Sequence, residues 1–150
     1  MVYDSAIPYV AQRIRAAAIY CSDGRVGEHF DDFLQNGLKL PRYDRLALPG
    51  GPACLAGHTE AHLEEQGVVD ELKFLVDAHE LERVILVAHE GCAFYAHRLH
   101  LPEQYLAPQQ KIDLVKAAGF VRRITGLQRV DGYFARLDGS RICFEQVPTR

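Results

Sequence analysis

The sequence predicts an α/β fold in three layers, with a mainly parallel sheet of strand order 2-1-3-4, an antiparallel edge strand and a C-terminal hairpin. Three observations predict it. Short unbroken apolar runs, Ala16-Ala17-Ala18-Ile19-Tyr20 and Val84-Ile85-Leu86-Val87-Ala88, suit strands buried on both faces rather than half-solvated ones. Segments of helical spacing separate these runs, which gives the β-α-β alternation of a parallel sheet covered on both sides. At the C-terminal end, two strand-like stretches, 130–137 and 141–147, flank Asp138-Gly139, a hairpin signal.

The elements follow in order. Residues 1–14 form a short lead, with a helical turn or two expected after Pro8. The first strand ends at Cys21, and the polar, glycine-containing stretch Cys21-Ser22-Asp23-Gly24-Arg25 is a loop. Phe30, Phe33, Leu34 and Leu38 recur at helical spacing, with Gly37 near the end of that helix. Residues 44–48 read as the second strand, and Pro49-Gly50-Gly51-Pro52 as a sharp break. Two helices are predicted next: one from about residue 53 to 65, and one carrying Val69, Leu72, Leu75 and Val76 on one face. The third strand is 83–88. A helix or turn from Ala93 to about Leu99 comes next, then a looser segment from Leu101 to Pro108 leading into a long helix to about Leu127. No repeat, linker or low-complexity stretch interrupts the chain, so residues 1–150 read as one domain.

Composition narrows the function. A chain of 150 residues with 48% apolar content can bury a sizeable core. The net charge of −3 and the lack of a long basic run argue against nucleic acid and anionic membranes as partners. No apolar stretch approaches the roughly 20 residues of a membrane helix. Arg13 and Arg15 follow the first apolar residues, the reverse of a signal peptide, so a cytoplasmic location is expected. Cys21, Cys54, Cys92 and Cys143 are too dispersed for a small disulfide scaffold. Cys54 and Cys143 read as small core residues.

The chemistry concentrates at two strand ends. The third strand runs into His89-Glu90-Gly91-Cys92, and the first ends at Cys21. Strands 1 and 3 are neighbours in a 2-1-3-4 sheet, and the crevice between them is the switch point where such folds bind ligands. Cys21, His89 and Cys92 there make a three-protein-ligand zinc set, with the fourth position free for water. Asp23 has two possible jobs. It either closes the site as a fourth ligand, or it pairs with Arg25 and accepts a hydrogen bond from water on the zinc. A thiol phosphatase loop is excluded, because position 27, six after Cys21, is glycine. His58-x-x-x-His62 has metal spacing on a helix but lacks the His-Glu-x-x-His protease pattern, and reads as a solvated polar face. His29, His79, His97 and His100 read as surface residues, any one of which could relay protons.

Cys21-x-Asp23-x-Arg25 followed by His89-x-x-Cys92 resembles the β-class carbonic anhydrases. Leu48-Pro49-Gly50-Gly51 stands where that family has its short glycine-containing loop, and residues 130–139 resemble its last hairpin. The likeness spans roughly residues 16–147. It implies zinc on Cys21, His89 and Cys92, and a catalytic dyad of Asp23 and Arg25. It further implies a lyase that reversibly hydrates carbon dioxide to bicarbonate through hydroxide on the zinc, and a homo-oligomer, in its simplest form a homodimer. The sequence departs from the family in three places. Ala93-Phe94-Tyr95 replace glycines, Leu48-Pro49-Gly50-Gly51-Pro52 replaces Arg-Asn-Ala-Gly-Asn, and the family's embracing N-terminal helices are missing. Two alternatives stay open. One is a zinc hydrolase of carbon disulfide or carbonyl sulfide, with a pocket narrowed by Phe94 or Tyr95. The other is a non-catalytic zinc protein whose site Asp23 closes.

Overall fold

The structure is a computed structural model that describes residues 1–150. Five strands form one sheet in the order β2-β1-β3-β4-β5: β1 is Ala16–Cys21, β2 Asp44–Leu48, β3 Arg83–His89, β4 Arg129–Asp138 and β5 Arg141–Val147. The first four are parallel, and β5 pairs antiparallel with β4 across the Asp138-Gly139 turn. This is the predicted order. Every residue of β1 and all of β3 except Arg83 are buried, as their unbroken apolar runs require.

The helices α1 (Gly27–Asp32), α2 (His62–His79) and α3 (Glu103–Thr125) complete the layers. Phe30 of α1 meets Tyr20, and Phe33 just beyond α1 meets Tyr133, with ring centroids 5.4 and 4.9 Å apart. Leu114 of α3 lies against Gly132, whose neighbour Tyr133 faces the other way. The two helices therefore cover opposite faces of the sheet.

Four local expectations need correction. No helix follows Pro8; residues 1–15 are irregular up to β1 and largely exposed. The helix expected over 53–65 is two short 3₁₀ turns, Gly51–Leu55 and Thr59–Ala61. Gly57 at φ +89° and the extended His58 break it between them, and α2 then runs unbroken where only the stretch around 69–76 was expected. The looser segment expected over 101–108 is mostly helix: α3 starts at Glu103 and carries Pro108 inside it. Pro108, the sixth residue of α3, has no N–H for the bond back to residue 104.

Register brings the site together. Tyr20 pairs with Val87, so Cys21 ends its strand level with Ala88, next to His89. Gly51, at φ +53°, lies under this junction. A Cβ there would come within 2.7 Å of the Tyr20 carbonyl carbon and 2.8 Å of the Cys21 nitrogen, so only glycine fits.

Candidate metal centre

Cys21, His89 and Cys92 are all buried, and their ligand atoms lie within 4.8 Å of one another. The two sulfurs are 4.0 Å apart. Tetrahedral zinc with bonds of about 2.3 Å to sulfur sets two thiolates roughly 3.8 Å apart. The spacing fits that geometry to within a small side-chain rotation.

His89 is held in one tautomer. Its Nδ1–H donates to the Glu90 carbonyl at 2.9 Å, which leaves Nε2 as the unprotonated nitrogen. That Nε2 is buried and has no hydrogen-bond partner. A buried acceptor without a partner is costly, and beside two thiols a cation is the natural partner. A metal-ligating histidine characteristically donates its other N–H to a carbonyl or carboxylate. Phe30 packs on the His89 ring at 6.0 Å between centroids and limits its rotation.

The sulfurs carry their own donors. Backbone N–H groups of Asp23 and Gly50 point at the Cys21 sulfur, and those of Phe94 and Tyr95 at the Cys92 sulfur. The hydrogen bond with Cys92 pulls the Cys21 thiol down, and the same contact pushes Cys92 up. Two like charges 4 Å apart cost about 4 kcal/mol at an effective dielectric near 20. Only one thiol of the pair ionises readily unless a cation sits between them.

Asp23 and Arg25 stand beside the cluster rather than in it. Arg25 grips the carboxylate through its backbone N–H to Oδ1 at 2.9 Å, through Nε to both oxygens at 3.1 Å, and through a terminal nitrogen to Oδ2 at 2.6 Å. The side-chain hydrogen bonds from Arg25 hold the Asp23 carboxyl down at about 2. The pair lines a cavity of about 300 Å³ with His29, His89, Leu137 and Ile142. That volume is at the small end for ligand pockets. Of the four histidines read as surface residues, His29 alone faces it.

Phe94 and Tyr95 do not line this cavity, against the expectation that one of them narrows it. Phe94 packs on Gly50, where an added Cβ would meet its ring at 2.6 Å. The Tyr95 hydroxyl donates to Asp113 Oδ2 at 2.7 Å. His58, read as solvated, is instead half-buried and bonded to the same oxygen at 2.6 Å, whereas His62 lies on the exposed face. Sequence reasoning missed Asp113 and its neighbour Gln110 altogether. The signal was there: Leu114, Ala117 and Val121 form an apolar stripe on α3, and residue 110 occupies the next position of that stripe with a polar side chain.

The comparisons with known proteins bear on the family and the fold. The model of a family described as "Putative carbonic anhydrase" matches residues 11–135. A search of curated proteins found no match. Among solved structures, a β-carbonic anhydrase of Trichomonas vaginalis superposes with a TM-score of 0.60 at 11% identity, covering 92% of this chain and 86% of that one. Two tetrameric β-carbonic anhydrases of Sordaria macrospora give a match with a TM-score of 0.55 at 14% identity, covering 90% and 84%. The β-carbonic anhydrase CafA of Aspergillus fumigatus gives 0.50 at 18% identity, covering 93% and 77%.

Proposed function

This chain belongs to the carbonic anhydrase family whose model it matches, and from that membership we propose that it is a zinc lyase reversibly hydrating carbon dioxide to bicarbonate. The observation that carries the reading is the convergence of Cys21, Cys92 and the partnerless, buried Nε2 of His89. Those three side chains would hold the zinc. When bound there, zinc supplies a Lewis acid that brings the pKa of a water toward neutrality.

The rest of the work falls to the chain. Asp23, kept ionised and aimed by Arg25, accepts the O–H of the attacking oxygen and leaves that oxygen's lone pair for the substrate carbon. The N–H groups on both sulfurs draw charge away from the thiolates, which otherwise weaken the cation's pull on a water. Hydration releases one proton per turnover, and His29 stands in the cavity through which it leaves. Both Asp23 oxygens are engaged by Arg25, and Asp23 is not among the converging donors, which supports an open site over a closed, non-catalytic one. The tetrameric state of the Sordaria relatives supports a homo-oligomer. No helix is long and apolar enough to cross a membrane; the cytoplasmic location we propose rests instead on Arg13 and Arg15 following the first apolar residues.

Stopped-flow carbon dioxide hydration, with zinc measured in the same sample, tests the proposal. One zinc per chain with fast hydration is expected. Bound zinc with no hydration from about pH 7 to 9 would replace carbon dioxide with carbon disulfide or carbonyl sulfide as the substrate to assay. Protein that takes up no zinc under reducing conditions would end the reading.

A further inference from the structure

The donors sit at the ends of β1 and β3, but α3 runs behind two of them. Gln110 Nε2 donates to the backbone carbonyl of His89 at 2.7 Å, and Gln110 is 1% exposed. One turn further along, Asp113 is 2% exposed and accepts three hydrogen bonds. They come from the Tyr95 hydroxyl at 2.7 Å, His58 Nε2 at 2.6 Å and Gln109 Nε2 at 2.8 Å. The donors come from three separate stretches of chain. Tyr95 is three residues past Cys92, and its backbone N–H is one of the two aimed at the Cys92 sulfur. The same N–H lies 3.2 Å from the Cys92 carbonyl, so this turn is tight.

We propose that Asp113, acting through Tyr95 and steadied by His58, is a positioning residue for the metal donor Cys92. The carboxylate anchors the Tyr95 ring, the ring fixes the 92–95 turn, and the turn presents the sulfur with its two N–H partners in place. Phe94 closes the turn from the other side by packing on Gly50, whose own N–H reaches the Cys21 sulfur. The two thiols are thereby held by two separate loops, at Gly50 and at 92–95, that pack against each other through the Phe94 ring. The inference rests on the zinc reading above.

The simpler account is a core hydrogen-bond network that only ties α3 to the sheet. A buried carboxylate is a poor choice for that job, because apolar residues of similar size stabilise as well or better. Groups one step removed from a metal ligand orient it, and losing one typically costs about 10–100-fold in metal affinity. A tie between α3 and the sheet has no such effect.

Tyr95→Phe separates the two, since it removes one hydroxyl and keeps the ring. The full-length variant and wild type are compared in zinc affinity by chelator competition, in the thiolate-to-cobalt absorption of the cobalt-substituted protein, and in Tm. A loss of zinc affinity of about tenfold or more, with a shifted cobalt spectrum, is expected. Affinity within about twofold of wild type and an unchanged spectrum, whatever the fall in Tm, overturn the proposal. If Tyr95→Phe does not fold, His58→Leu, which removes the donor at the more exposed end of the network, decides. Weakened zinc binding in that variant supports the proposal, and wild-type affinity overturns it. Wild-type protein that binds no zinc overturns the zinc reading and this inference together. Tight wild-type binding with no effect of either variant overturns the inference alone.

Discussion

Two aspartates flank the Cys–His–Cys cluster, and they are held in opposite ways. Asp23 is gripped by an arginine two residues along the same loop, and that Arg25 side chain is 77% exposed. Asp113 is sealed under the sheet, with partners at positions 58, 95 and 109. An exposed pair is screened by water and adds little to stability. A buried, fully hydrogen-bonded carboxylate is costly to disturb. Under the proposed function, the difference follows the work of each face. On the cavity side a charge has to be reachable by substrate and solvent. On the helix side a group has only to hold still.

The sharpest way to break that contrast is to delete each carboxylate. Asp113→Ala leaves the Tyr95 hydroxyl and the His58 ring without an acceptor. It should cost about 3–5 kcal/mol in urea unfolding. A loss below about 1 kcal/mol would mean that the buried network relaxes easily and that the two aspartates are not opposites. Asp23→Asn should do the reverse. Turnover should fall by about a hundredfold or more, as expected for one positioned group, while zinc content and the urea midpoint stay at wild-type values. Full turnover in Asp23→Asn would remove the dyad from the mechanism.

The same contrast explains what the sequence could tell. Cys21-x-Asp23-x-Arg25 is legible because the partners share one short loop and the pairing follows from spacing. β1 and β3 are legible because their apolar runs have no other use, and the sheet order brought Cys21 beside His89. Asp113 is illegible as a partner of Tyr95 and His58 because those contacts span 18 and 55 residues and depend on how α3 packs. Only its place on an apolar helix face gave notice of a buried polar group. The stretch from Gly51 to Ala61 failed for a related reason. Its alanines and Leu55 suggest a helix, but Gly51, Pro52 and Gly57 are the poorest helix formers, residues 51–55 are buried beside the strand ends, and Gly57 in the left-handed region turns the chain before a helix can propagate. Pro108 misled because proline usually ends or breaks a helix, whereas α3 carries it as its sixth residue, past the first turn.

The smallest effect concerns the protonation of Asp23. Its side-chain and backbone hydrogen bonds from Arg25 lower the carboxyl from 3.8 to about 2 in the folded chain. A folded pKa below the unfolded one means that the pair's contribution to stability is complete above about pH 4 and is lost as the pH falls through about 2. Asp23 therefore stays ionised throughout the working range, and any acid limb in the hydration rate above about pH 5 has to come from another group. Arg25→Ala should raise the Asp23 carboxyl toward the ordinary carboxylate range, the backbone N–H of residue 25 keeping part of the lowering, while leaving Tm nearly unchanged, because the Arg25 side chain is open to water. Carbon-13 titration of the Asp23 carboxyl in both proteins checks this. A wild-type carboxyl that titrates near 4 would show that the pair does not persist in solution. The cavity-side aspartate would then owe its orientation to something other than Arg25.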